Sequence, residues 1–134
     1  MSQETQKWTS FDVVKGMLAN LAVSDIPASI PRLHTALCQL QKQQAFARLL
    51  ADYVFEDRSH FPFSRDFQTD LVNLEQSGHL STSNPDFITY SIRQKLKTTF
   101  ENYGKPLFTA EEGNLLKQMA DEFEKALDLE PVSA

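Results

Sequence analysis

Apolar side chains recur at helical spacing through most of the chain. Phe11, Val14, Leu18, Leu21 and Ala22 form the first such stripe, which predicts a helix from Ser10 to Val23, with Ser10 as its cap and Asp12 placed for the helix dipole. Residues Ser24 to Pro31 hold two prolines and two serines and read as a connector that also opens the next helix, with Pro31 in its first turn. Leu33, Leu37 and Leu40 continue the helical spacing up to the polar run Gln39 to Gln44. Phe46, Leu49, Leu50, Tyr53 and Val54 make another stripe, closed by the polar residues Glu56 to His60.

The pattern is most informative in the centre. Ser64 is a natural cap for a helix over Arg65 to Ser77, with Phe67, Leu71 and Leu74 on one face and Gly78 as its stop. His79-Leu80-Ser81 follows, then turn chemistry in Asn84-Pro85-Asp86, then a segment in which Ile88, Tyr90 and Ile92 alternate with smaller or polar residues. This predicts a two-stranded hairpin, which must lean on the helices because an isolated hairpin is marginal in water. Leu96, Phe100 and Tyr103 then mark a helix ended by Gly104, with Pro106 beyond. The last helix opens with a capping box, Thr109 to Glu112. It carries Leu115, Leu116, Met119, Phe123 and Leu127 on one stripe and is stopped by Pro131.

The order from Ser64 to Ile92 (helix, glycine stop, strand, turn, strand) resembles the second half of a winged-helix unit. The similarity covers about a fifth of the chain and rests on Phe67, Leu71, Leu74, Gly78, Leu80, Tyr90 and Ile92. It implies a mainly α fold with a small β-hairpin. A winged-helix-like core over residues 29–92 would be flanked by an N-terminal helix and by C-terminal helices over 93–129. The first nine residues are expected to be flexible and 130–134 to be a tail, all in a single domain of 134 residues. The entry Phe61-Pro62-Phe63-Ser64 is also similar to that of the small Panacea-type antitoxin and mobile-element proteins, although Phe61 stands where those proteins tend to have a glycine. That resemblance implies a role in regulating or neutralising a partner.

Composition sharpens this picture. With 41% hydrophobic and 23% charged residues, ten phenylalanines and four glycines, the chain should pack an aromatic-anchored core of helices with short connections. No stretch approaches the roughly 18 apolar residues of a membrane helix, and the first thirty residues lack an apolar core behind a basic start, so a cytoplasmic location is expected. The single cysteine, Cys38, allows no internal disulfide. The net charge of −5 is concentrated in residues 109–134, where seven carboxylates face Lys117 and Lys125, and the rest of the chain is balanced.

Candidate chemistry is sparse. His34 and Cys38 are four apart, the spacing that sets an imidazole beside a thiol, but no third group accompanies them, and Leu33, Leu37 and Leu40 point to a buried, inert cysteine. His60 and His79 lack metal-ligand spacing. Asp52, Glu56 and Asp57 read as solvated carboxylates, and no phosphate-binding loop or nucleophile elbow occurs. Neither catalysis, nor a cofactor, nor a metal is expected.

Binding candidates are more numerous. On the Ser64–Ser77 helix, Arg65, Gln68, Asn73 and Gln76 could address bases, but Asp66, Asp70 and Glu75 leave the segment at −2, which opposes a phosphate-dense groove. Arg93, Lys95 and Lys97 form the nearest basic cluster, with Arg93 and Lys97 spaced to share a helix face and Lys105 further on. The stripe Leu115, Met119, Phe123 and Leu127 is a candidate partner face. The leading expectation is therefore a non-enzymatic interaction or adaptor module that pairs with itself or with another protein. The alternative is a DNA-binding regulator or antitoxin-like protein whose dimer brings two basic clusters together.

Overall fold

The computed structural model describes residues 7–58, 60–82 and 89–128. The expected turn Asn84-Pro85-Asp86, the residues before position 7, Pro131 and the tail lie outside them, as does Ile88. The described chain is mainly helical with two small antiparallel sheets. In order these are α1 (Ser10–Ala19), β1 (Asp25–Pro27), α2 (Ile30–Gln41), α3 (Gln44–Ala47), β2 (Glu56–Arg58), β3 (Phe61–Phe63), α4 (Arg65–Gln76), β4 (Leu80–Thr82), β5 (Thr89–Ile92), α5 (Gln94–Thr99) and α6 (Ala110–Ala126). A π-helical turn, Phe100–Gly104, and a 3-10 turn, Lys105–Leu107, join α5 to α6.

The first helix begins one residue earlier than its apolar stripe suggests. Thr9 is the cap, in a reciprocal box with Asp12, a device worth about 1 kcal/mol. Ser10 is buried instead, its hydroxyl donating to the Leu49 carbonyl at 2.9 Å while its amide donates to Asp52 at 2.9 Å. The helix stops at Ala19, short of Val23, because the Asn20 side chain donates to the Gly16 carbonyl and closes the last turn. Trp8 lies within the nine residues expected to be flexible, yet it is buried. It stacks on Phe108 and donates its indole N–H to Glu112 at 3.2 Å.

Three strands lie outside the expected hairpin. β1 emerges from the connector and pairs with β5, so the sheet order is β1-β5-β4, in the registers Ile26↔Tyr90 and Leu80↔Ile92. Ile26, Leu80, Tyr90 and Ile92 turn into the core, the alternation that makes one sheet face apolar. Phe61-Pro62-Phe63 forms β3 opposite β2. The stripe at Phe46–Val54 yields only the single turn of α3, with Leu49, Leu50 and Tyr53 buried on irregular chain and Val54 exposed. Side-chain bonds replace the missing helix there: Gln41 donates to the carbonyls of Leu50 and Tyr53 at 2.8 and 2.7 Å.

One buried cluster joins α1, α2, α4, α5 and α6 with the sheet, from Trp8 to Leu127. Phe100 is wedged against α1: a Cβ on Gly16 would stand 2.8 Å from its ring, and one on Gly104 2.6 Å. The wider π-turn also rotates Tyr103 off the Leu96–Phe100 face, leaving it 74% exposed where a regular helix would bury it. Gly78 stops α4 at φ 82°, as a left-handed cap requires.

Candidate functional site

The hairpin, the cap at Ser64 and the glycine stop at Gly78 fix how α4 is presented. Phe67, Leu71 and Leu74 anchor it inward. The opposite face carries Arg65, Asp66, Thr69, Val72, Asn73 and Gln76, all exposed and all on one helical stripe.

α4 is locked to α2 by a buried imidazole. His34 is fully buried and stacks on Phe63 with ring centroids 4.7 Å apart and planes 3° apart. The Ser64 amide donates to Nδ1 at 3.0 Å, and Nε2 lies 3.0 Å from Gln68 Oε1. An amide can only donate, so Nδ1 must be the bare acceptor and Nε2 must carry the proton that it gives to Gln68. The ring is therefore neutral, and burial pushes its pKa below the ordinary histidine value, with the Gln68 bond a smaller opposing effect. Both nitrogens are engaged, so neither is available to the buried Cys38 thiol.

Two of the three acidic residues of α4 are also engaged. Tyr53 donates its hydroxyl to Asp70 at 2.6 Å, and Thr82 donates to Glu75 at 3.1 Å. Burial raises the Asp70 pKa, partly offset by the Tyr53 bond. The −2 expected for this segment is thus not what the outer face shows: its charges are Arg65 and Asp66 alone, and it is neutral and polar, with Val72 as its one apolar residue.

Of the candidate contacts, Arg65 and Asn73 share that outer face, whereas Gln68 is turned to His34. The basic cluster is dispersed. Arg93 is the cap residue of α5 and not part of the helix, so it does not share a face with Lys97. Arg93 borders a depression with Glu75, Gly78 and Thr82, and Lys97 borders a different one with Asn20, Thr98 and Glu101. Lys95 donates to the Ser77 carbonyl at 2.6 Å, neutralising the negative end of α4. Lys105 is 3.3 Å from Glu101.

The stripe expected to meet a partner is spent inside the molecule. Met119, Phe123 and Leu127 are buried against α1 and α2, and Leu115 is half-buried against the same core. Burial of one such side chain is worth roughly 1.5–3 kcal/mol, so the stripe holds the fold and offers no apolar face outward. Arg32 donates to the Leu127 carbonyl, and the Ala22 amide donates to Glu124 at 2.6 Å, pinning the same helix at its end.

Among the described residues no group of three histidine, cysteine, aspartate or glutamate side chains is arranged to hold a metal, and no helix is long and apolar enough to cross a membrane. Reasoning from sequence missed the contributions of Thr69 and Val72 to the outer face. Helical phase alone could have found them, since both lie opposite Phe67, Leu71 and Leu74. Comparison with protein-family models, curated proteins and solved structures finds no match to the chain.

Proposed function

We propose that the chain is a non-enzymatic protein–protein interaction module of winged-helix type, and that it meets its partner through the outer face of α4. The observation that carries this reading is the character of that face: polar, with one cation balanced by one carboxylate, and a single exposed valine, Val72. Such a surface releases few counterions from a nucleic acid and gains little there, whereas a neutral polar face that includes an exposed apolar residue suits a protein partner.

The winged-helix part of the reading is supported by the succession of α4, Gly78, β4 and β5, with the hairpin strands paired antiparallel. β1 adds a third strand to the hairpin sheet. The partner face moves from α6 to α4 because the apolar stripe of α6 is already covered.

Affinity capture of the tagged protein from its own cells, with and without nuclease, tests this. A stoichiometric protein, or a second copy of this chain, that survives nuclease supports the reading. Recovery of DNA that binds with strong salt dependence favours the regulator alternative and overturns it.

A further inference from the structure

Each of the four glycines can be asked why it is glycine. Gly78 needs its positive φ, and Gly16 and Gly104 make room for the Phe100 ring. Gly113 has no such reason. It lies inside α6, where glycine costs roughly 1 kcal/mol relative to alanine, and a Cβ built on it meets nothing within 4 Å. That absent side chain would enter a cleft of about 430 Å³ between the π-turn and the first turns of α6, within the roughly 300–1,000 Å³ typical of small-molecule sites.

The walls of this cleft are preset. Phe100 is clamped between Gly16 and Gly104, and Phe108 is held by stacking on Trp8 at 5.7 Å. The two rings touch at 6.3 Å between centroids, offering a continuous aromatic wall. Around it stand Asn20, Lys105, Asn114 and Lys117, with Glu101 as the one carboxylate, paired to Lys105. Lys117 and Asn114 are exposed and have no partner among the described residues, and Asn20 uses only its amide nitrogen, on the Gly16 carbonyl. Within the acidic last segment the cleft is thus a locally cationic, aromatic-walled recess.

We infer that this cleft binds a small planar organic anion, its ring against Phe100 and Phe108 and its acid group toward Lys117 and Lys105, with Gly113 left bare to admit it. Aromatic walls bury the ring, and lysines select the acid. This site is independent of the α4 face, and either can fail alone.

The test is titration of the ¹⁵N-labelled full chain with indole-3-acetate, and with the neutral indole-3-acetamide, followed at the Gly113, Asn114 and Asn20 amides. Saturable shifts at these amides with the acid, markedly weaker with the amide, are expected. Gly113→Leu should weaken binding by about ten-fold or more by filling the cleft, while its melting temperature holds or rises. Lys117→Gln should weaken binding of the acid and leave the amide unchanged. Absence of saturable shifts at these amides overturns the inference, as does equal affinity for acid and amide, or undiminished binding to the folded Gly113→Leu protein. Gly113→Ala, which intrudes less, should give a smaller loss and serves if the leucine variant does not fold.

Discussion

Replacing His34 tests the lock between α2 and α4. In His34→Ala the Ser64 amide loses its acceptor in a buried setting, at about 1–3 kcal/mol. The Phe63 and Phe67 rings lose the stacked imidazole, and the space left behind costs further. Together about 3 kcal/mol of unfolding free energy should disappear. His34→Asn places an amide oxygen near Nδ1, keeps an acceptor for Ser64 and forgoes the Gln68 bond, so it should lose about half as much. The pH dependence is more specific. The folded-state pKa of His34 lies below its ordinary 6.5, so below that pH the unfolded chain binds more protons than the folded one. Stability from this group is complete above 6.5 and is lost as pH falls toward the depressed value. The slope approaches about 1.4 kcal/mol per pH unit while one full proton separates the states. His79 is shifted the same way, chiefly by burial and then by Lys95, so the difference between wild type and His34→Asn isolates His34. Urea unfolding at several pH values between about 7 and 5 should show a shallower acid decline in the variant. Parallel curves for the two proteins, or a loss below about 1 kcal/mol in His34→Ala, would refute the neutral-imidazole lock.

The glycines give a paired prediction by thermal unfolding. Gly16→Ala should destabilise by about 1–2 kcal/mol, because its Cβ meets Leu116 at 2.7 Å and Phe100 at 2.8 Å. Gly113→Ala should stabilise by roughly 0.5–1 kcal/mol; the same sign for both would contradict the packing described. Trp8→Ala should cost about 3–5 kcal/mol in chemical denaturation, since the indole is buried, stacked on Phe108 and bonded to Glu112; a neutral result would mean that the start of α1 is not docked. Tyr53→Phe strips Asp70 of its hydroxyl donor and should cost about 1–2 kcal/mol near neutrality. That cost should shrink in acid as Asp70 takes up its own proton.

Where side chains alone set the local structure, the sequence is readable. The Thr109–Glu112 box, the Ser64 cap and the Gly78 stop lie where spacing and cap chemistry place them. Elements that depend on distant partners are not legible in the same way. β1 exists because β5 offers it an edge, and three residues of Asp-Ile-Pro carry no signal for that. The Phe46–Val54 stripe reads as a helix but is held as irregular chain by Gln41 and by Ser10, which lie outside it. The amphipathic stripe of α6 shows that one face must be buried, not whether against the chain's own core or a partner. Likewise, residue type on the α4 segment put Gln68 among the contacts and its spacing from Lys97 put Arg93 there, but tertiary context turned one to His34 and made the other a cap residue. The cleft at Gly113 was invisible because its walls are Phe100, in an unforeseen π-turn, and Phe108, beyond the 3-10 turn that follows it.

The central claim is that the outer face of α4 meets a protein, and its most direct measurement compares nuclease-treated captures of wild type and Thr69→Arg/Val72→Glu. Both positions are exposed and clear of the His34, Tyr53 and Thr82 bonds, so the melting temperature should stay near that of wild type. The account predicts that the stoichiometric protein partner is lost from the folded double variant. Retention of that partner, or co-purification of nucleic acid with the wild type in its place, would contradict it.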